Sequence, residues 1–236
     1  MDSIENKKII YFRRKIKEWY PLNGRNFPWR KKSRTKYEII ISEILLQRTR
    51  AETIFKYYSK FLKKYPSWTS LSNGREKSLQ KILKPMGLWR QRGTALLSLA
   101  RAVRKLKGKL PAKRETLETL PGVGQYIANA VLVICHGARE PLLDVNMARI
   151  LERFFGPRKL ADIRYDSYLQ SLSRKVLPQK NVKEFNWAIL DLAALVCIPK
   201  KPRCNKCPLI SHCLYYYKYL SRIKCSRFMK NFKKSF

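Results

Sequence analysis

Apolar residues along most of this chain recur at spacings of three and four, which is the period of an amphipathic α-helix. Faces of this kind begin at Ile9, Ile54, Leu96, Ile127, Ile150 and Leu169. Proline and glycine interrupt the pattern at Pro66, Gly87, Pro111, Gly122, Gly156 and Pro178. No run of alternating apolar and polar residues predicts a strand. The pattern therefore predicts an all-α protein of roughly ten short helices.

The composition adds charge to this picture. The chain has 236 residues, of which 45% are hydrophobic, so it is long and apolar enough to bury a sizeable core. Lys and Arg number 52 against 16 Asp and Glu, which gives a net charge of +36 spread along the whole chain. Such an excess predicts attraction to a polyanion, and nucleic acid is the first candidate. A lysine-rich proteome is the alternative explanation for part of it.

The N-terminus indicates where the protein works. It begins with the polar run Met1–Glu5, no apolar signal-peptide core follows, and no stretch of about 18 apolar residues is present. We therefore expect a cytoplasmic protein with no targeting signal and no membrane contact. Six cysteines in such a chain favour reduced thiols and metal ligation over disulfides. Two of them, Cys135 and Cys225, are expected in the core and in the tail.

Four further cysteines lie close together near the C-terminus. They are Cys197, Cys204, Cys207 and Cys213, with the spacing C-x6-C-x2-C-x5-C. Thiolates this close in sequence can surround one soft metal centre. A single C-x2-C pair would be weak evidence, but four cysteines in a strongly basic chain predict a metal-clamped element of a nucleic-acid-binding protein.

A glycine-containing turn precedes one of the predicted helices. The segment LPGVGQY at 120–126 contains Gly122 and Gly124, which let the backbone turn tightly and bring N–H groups close to an anion. The helix expected to start near Gln125 directs its positive N-terminal dipole the same way. The hairpin can therefore hold one DNA phosphate, and an ordinary helix–helix turn is the alternative.

An acid lies twenty residues past Gly124, in the segment LDVN at 143–146. Asp144 directly precedes an amphipathic run, where a helix N-cap is expected, so simple capping is the structural interpretation. The combination of hairpin, acid and distal cysteines favours a functional one.

Together these three motifs resemble the helix-hairpin-helix DNA glycosylases of the endonuclease III and adenine glycosylase type. The early segments 26–30 (NFPWR) and 42–49 (SEILLQRT) also match family landmarks, so the resemblance covers nearly the whole chain. It implies a two-lobed all-α fold with the DNA cleft between the lobes. A six-helix barrel with the hairpin would span 27–137, and 1–26 with 138–236 would form a second helical domain that carries a cluster loop at 197–213.

The resemblance also implies cofactors. The four cysteines would hold one structural [4Fe-4S] cluster per chain, with zinc as the competing interpretation, and a monovalent cation is a further candidate at the hairpin. The cluster would close a loop whose basic residues face the DNA backbone, namely Lys200, Lys201, Arg203 and Lys206.

Catalytic roles follow from the matching positions. Asp144 would stabilise the oxocarbenium-like sugar or orient water, and Glu43 would protonate or hydrogen-bond the flipped base. Tyr126 stands where bifunctional relatives carry a Schiff-base lysine, so the resemblance implies a monofunctional enzyme. Gln47 would wedge into the vacated base stack. Further DNA contacts are expected from Gly122, Gly124, Gln125, Arg48, Leu88 and Asn146.

Two features favour thymine or uracil opposite guanine as the target. Residues 87–92 (GLWRQR) resemble the archaeal-type thymine enzyme, and the 23 residues after Cys213 leave no room for an 8-oxoguanine-reading domain. Against this, 47–53 (QRTRAET) resembles the adenine branch, and Val145 fits neither family. An adenine glycosylase acting on A·8-oxoguanine or A·G is the alternative. A lyase that uses another lysine and an inactive Fe–S DNA-binding protein are the other candidates.

The expected partners follow from the same resemblance. They are double-stranded DNA with a mismatched or damaged base and a downstream abasic-site endonuclease. We expect a monomer that associates with the nucleoid.

Overall fold

The computed structural model describes residues 3–221, so Cys225 lies outside the described residues. This part of the chain contains no strand, and the expectation of an all-α protein is confirmed. None of its helices is long and apolar enough to cross a membrane. The α-helices are α1 (Ser3–Asn23), α2 (Lys36–Leu46), α3 (Ala51–Lys64), α4 (Trp68–Ser72), α5 (Glu76–Leu83), α6 (Trp89–Lys105), α7 (Arg114–Glu118), α8 (Gln125–His136), α9 (Val145–Phe155), α10 (Ser167–Lys175) and α11 (Val182–Leu195).

The chain divides into two compact units. One consists of residues 26–140 and contains α2 to α8, and the other combines residues 1–25 with 141–236 and contains α1 and α9 to α11. Short 3-10 turns at Pro28–Arg30, Lys84–Met86, Cys204–Lys206 and Ile210–His212 complete the regular structure, followed by a π-helical turn at Tyr216–Ser221.

Helix α2 is the buried centre of the 26–140 unit. Thr35 and Glu38 form a capping box that starts it. Every residue from Ile39 to Leu45 is buried, which leaves no solvent-exposed face over those two turns. Helices α3 and α8 pack against it. A helix that is apolar all round must be enclosed by others, so α2 is a fixed frame for any side chain that it carries.

In the second unit, α9 packs against α10 and α11, and α1 packs against α11. The backbone N–H and the Nε of Arg25, just after α1, both donate to the carboxylate of Asp191 at 2.7 Å. Asp191 is fully buried on α11. A buried carboxylate is stable only when paired and hydrogen-bonded, so this clamp fixes the end of α1 against α11.

The structure differs from the sequence pattern in the length of α1. This helix spans 21 residues and includes Pro21, whereas only short helices were expected. Proline removes one backbone donor and disrupts a helix most strongly in its interior. Pro21 lies in the last turn, so the one backbone hydrogen bond that it removes affects only the end of the helix.

Candidate active site

A hydrogen bond joins two of the predicted catalytic residues. The Tyr126 hydroxyl, in the first turn of α8, donates to Oε2 of Glu43 on α2 at 2.8 Å. Glu43 is only 2% exposed, and a buried carboxyl group without hydrogen bonds is strongly destabilising. Because α2 packs against α8, residues 83 positions apart in sequence form one polar site inside the 26–140 unit.

The hairpin before α8 needs glycine at one position, not two. Gly122 has a φ of +74°, and a Cβ there would lie 3.1 Å from the Cβ of Ala95. Gly124 is the N-cap of α8 with a φ of −95° and has nothing within 4 Å of the place a Cβ would take. Only Gly122 therefore has the positive φ that favours glycine, and the close approach of an anion to the backbone at Gly124 stays a prediction. Helix α8 begins at Gln125, as predicted.

Asp144 caps α9, as its sequence position indicated. Its Oδ1 accepts the backbone N–H groups of Asn146 and Met147 at 2.9 and 2.8 Å, and its Oδ2 accepts the Asn146 side-chain amide at 2.6 Å. Burial raises the pKa of Asp144 above its ordinary value of 3.8, although these donors act in the opposite direction. The N-cap role and a catalytic role are compatible, since a carboxylate has about four lone-pair sites.

Two arginines that the sequence analysis missed extend this network. Arg149 Nη2 donates to Asn146 Oδ1 at 3.0 Å, and its Nε donates to the carbonyl of Cys197 at 2.8 Å. Arg153 Nη1 lies 3.3 Å from Cys197 Sγ. A continuous path of hydrogen bonds thus runs from Asp144 to the first cysteine of the cluster. The signal that was overlooked is the spacing of three and four residues on one face of α9.

The thiols of Cys197, Cys204 and Cys213 lie close enough to Cys207 to affect its pKa. Burial first, and then the thiols of Cys197, Cys213 and Cys204, raise the pKa of Cys207 to about 12. Within residues 3–221, no three Cys, His, Asp or Glu side chains already have the geometry of a metal site, so ligation requires the thiol rotamers to converge. Cys135 is half-buried on α8, 62 positions before the first cysteine of the loop in sequence. The basic side chains of the loop are exposed, namely Lys200, Lys201, Arg203 and Lys206.

Two turns of the 26–140 unit present the side chains expected to enter DNA. Gln47 is exposed directly after α2, and Leu88, at the start of α6, is 46% exposed. Arg48 and Leu88 have φ values of +54° and +52°. This left-handed conformation is uncommon for residues other than glycine, and such outliers cluster at ligand-binding sites.

The sequence matches the description "HhH-GPD superfamily base excision DNA repair protein" over residues 41–175. The chain belongs to this superfamily. The HhH-GPD match spans the Glu43–Tyr126 pair, the hairpin and Asp144, and it confirms the resemblance found in the sequence. The protein is a DNA glycosylase, a hydrolase of N-glycosidic bonds.

Individual HhH-GPD relatives are similar over nearly their whole length. A thymine-DNA glycosylase of Aeropyrum pernix is 37% identical, with 90% of this chain and 97% of that protein aligned. A thymine/uracil-DNA glycosylase of Methanothermobacter thermautotrophicus is 35% identical, with 92% and 99% aligned. The solved structure of a thermostable thymine-DNA glycosylase superposes with a TM-score of 0.83 at 34% identity, over 91% of this chain and 99% of that one.

The adenine branch is also represented. An adenine DNA glycosylase of Buchnera aphidicola subsp. Schizaphis graminum is 33% identical, and the alignment covers 88% of this chain but 60% of that protein.

The raised pKa of Asp144 predicts a pH dependence of stability. A carboxyl group whose pKa is higher in the folded state opposes folding progressively as pH rises above its unfolded value of 3.8. We therefore expect the free energy of unfolding of Asp144→Asn, relative to the native protein, to increase as pH rises from about 4 to 7. Urea titrations across this range measure the difference.

Asp166→Asn is the matched control. Asp166 caps α10, and its pKa is lowered because three backbone donors outweigh the effect of burial, which acts to raise it. The sign must therefore reverse, and this variant should lose relative stability as pH rises. Equal slopes in the two variants would contradict the assignment.

Proposed function

We propose that this DNA glycosylase removes thymine or uracil opposite guanine by hydrolysis and leaves the abasic strand intact. The observation that carries the proposal is the hydrogen bond from Tyr126 to Glu43. It places a phenol, not an amine, beside the buried Glu43 in the first turn of α8, directly after the hairpin. A phenol cannot form a Schiff base with the sugar, so the strand-cleaving reaction has no nucleophile at this position.

Asp144 supplies the charge that the transition state needs. Cleavage of the N-glycosidic bond leaves positive charge on the sugar, and a carboxylate near C1′ stabilises it or orients the attacking water. The two N–H groups of α9 and the Asn146 amide fix the carboxylate in one orientation. A preorganised anion of this kind stabilises a developing cation without reorganising during the reaction.

Glu43 is the group that acts on the base. Only 2% of its surface is exposed, so bulk water does not compete for its carboxyl group. Protonating or hydrogen-bonding the flipped base makes it a better leaving group. Tyr126 orients this acid through its hydroxyl.

DNA binding combines several of the described elements. Gly122, Gly124 and Gln125 at the start of α8 would hold a phosphate on backbone N–H groups. Gln47, Arg48 and Leu88 would fill the space that the flipped base leaves. The exposed loop residues Lys200, Lys201, Arg203 and Lys206 would contact the DNA backbone, and Asn146 would act next to Asp144. The product would pass to an abasic-site endonuclease.

We also propose that the four cysteines hold a [4Fe-4S] cluster. The support is the donor set: four thiols within mutual electrostatic reach, with Arg153 directed at the sulfur of Cys197. Hydrogen bonds to cluster sulfurs are a common feature of such sites. When bound, the cluster cross-links the loop after α11; the reaction itself is carried by the side chains described above.

The choice of base is tested with four duplexes, which contain T·G, U·G, A·8-oxoguanine or A·G. We expect excision from T·G and U·G, because relatives of 35–37% identity over nearly their full length are named for these bases. Strand breaks should appear only after alkali or heat. Excision from A·8-oxoguanine alone would establish the adenine alternative, for which the Buchnera relative is the support.

Tyr126→Lys tests the assignment of the reaction type. A lysine amine beside Glu43 is expected to form a Schiff base with the abasic sugar, so borohydride should trap a covalent protein–DNA adduct. Tyr126→Phe is the control, since it removes the hydroxyl without adding an amine and should give no adduct. The same abundance of adduct in the native protein and in Tyr126→Lys would mean that another lysine reacts.

The cluster proposal predicts iron and a brown protein that absorbs at the violet end of the visible spectrum. Cys207→Ser should lose iron and lower the melting temperature, whereas Cys135→Ser should retain its iron because Cys135 is outside the loop. Iron, sulfide and zinc analysis measures the outcome. A colourless preparation with stoichiometric zinc would contradict the cluster proposal and show that the four cysteines bind zinc.

A further inference from the structure

A buried arginine connects the two turns that carry Gln47 and Leu88. Arg92, in the first turn of α6, is 6% exposed. Its Nη2 donates to the carbonyl of Gln47 at 2.7 Å and to Oγ1 of Thr49 at 3.0 Å. Its Nη1 donates to the carbonyls of Gly87 at 2.9 Å and Met86 at 3.2 Å. One guanidinium therefore bonds to both turns. Gln47 lies 45 positions from Arg92 in sequence, and Gly87 lies 5 positions from it.

All of these acceptors are neutral, which is unusual for a buried cation. Burial lowers the pKa of Arg92, and among the described residues no carboxylate pairs with it. A buried charge without an opposite charge is costly unless its hydrogen bonds are complete. The planar fork of the guanidinium fixes the positions of several oxygens at once. We therefore take the role of Arg92 to be geometric, namely to set the relative positions of its acceptors.

Both turns also contain strained backbone. Arg48 and Leu88 adopt left-handed φ values, a strained conformation that persists only where the surrounding structure enforces it. Arg92 bonds to the carbonyl of the residue directly before each of them, Gln47 and Gly87. Thr49 adds a direct link, since its hydroxyl donates to the carbonyl of Met86 at 3.1 Å.

We propose that Arg92 is a positioning residue for base extrusion: it locks the Gln47 and Leu88 turns together so that both side chains enter the duplex as one unit. The proposal rests on the DNA-opening role of Gln47 and Leu88 in the proposed function. Arg92 itself contacts neither DNA nor the reacting atoms. Gly93 allows close packing of α6 on α5, because a Cβ there would lie 2.9 Å from Cγ of Gln80 and this side chain would have to shift.

Lysine cannot replace this arginine. It keeps the charge but presents one compact ammonium group in place of a planar fork, so it can satisfy one turn and not both. Arg92→Lys therefore separates the loss of the connection from the loss of charge. Arg92→Gln is the second variant, which removes the charge and retains one amide donor group. Arg104→Lys is the matched control, because Arg104 lies on the same helix and bonds only an exposed partner, Asn73 Oδ1 at 2.6 Å.

The first measurement uses hydrogen exchange in the free full-length protein. We expect Arg92→Lys and Arg92→Gln to accelerate exchange of the amides at 47–49 and 86–88, while the amides of α2 and α8 keep their protection. Arg104→Lys should match the native protein throughout. Unchanged exchange at both turns would overturn the proposal, and so would faster exchange across the whole 26–140 unit, since that indicates a general loss of stability.

The second measurement follows base opening and excision on whichever of the four mismatched duplexes the native protein excises a base from. 2-Aminopurine beside the mismatch reports unstacking, and single-turnover rates report excision. Arg92→Lys should weaken the fluorescence change and slow excision roughly tenfold to a hundredfold, as expected when a positioned group moves by about 1 Å. Native unstacking and excision in a variant with loosened turns would refute a positioning role.

These outcomes are separable from those of the proposed function. If the native protein excises adenine, the assignment of the base fails, and the Arg92 comparison proceeds on that substrate. If it excises none of the four bases, the exchange and 2-aminopurine measurements still decide whether Arg92 couples the two turns to opening of the duplex.

Discussion

One buried carboxyl group determines how the 26–140 unit is arranged. Helix α2 is enclosed on all sides, and its two buried polar residues are satisfied in different ways. Ser42 donates to the carbonyl of Ile39 within the helix at 2.6 Å, whereas Glu43 accepts the hydroxyl of Tyr126 from α8. Burying a carboxyl group is costly unless it is hydrogen-bonded, and the bond from Tyr126 supplies part of what Glu43 needs. The same bond fixes α8 against α2 and so holds the hairpin directly before α8 in a defined place.

The acid of the other unit is stabilised locally. Asp144 is satisfied by the first turn of the helix that it caps, and its surroundings continue through Asn146 and Arg149 to the backbone of Cys197. Each unit thus contains one of the two acids: Glu43 accepts a hydrogen bond from a residue far away in sequence, and Asp144 accepts its hydrogen bonds from near neighbours. The hydrogen bonds of Asn146 and Arg149 connect Asp144 to the backbone of the cysteine loop. The position of Glu43 relative to Tyr126 is set instead by the packing of α8 against α2.

The sequence was informative wherever a signal is local. Helical period predicted the all-α class, and the residue before an amphipathic run predicted the Asp144 cap. Local patterns were less informative about backbone angles, since Gly122 and Gly124 look equivalent in the sequence and only Gly122 requires a positive φ. They gave no information on the contacts of Arg92, because three of its four acceptors are backbone carbonyls, which have no residue type to recognise. The Tyr126–Glu43 bond was not predicted, because no spacing rule connects residues 83 apart; the resemblance implied only that each residue belongs to the active site.

The Arg25–Asp191 clamp has a consequence for how the chain is made. It joins residues separated by 166 positions, so α1 leaves the ribosome long before the helix that it packs against. At roughly 5–20 residues per second, synthesis of the intervening segment takes on the order of ten to thirty seconds. Residues 26–140 can fold during that interval. The apolar face of α1, formed by Ile9, Phe12 and Ile16, cannot yet be buried against α11, which has not been synthesised. The first helix to be synthesised therefore cannot pack against α11 until most of the chain has been made.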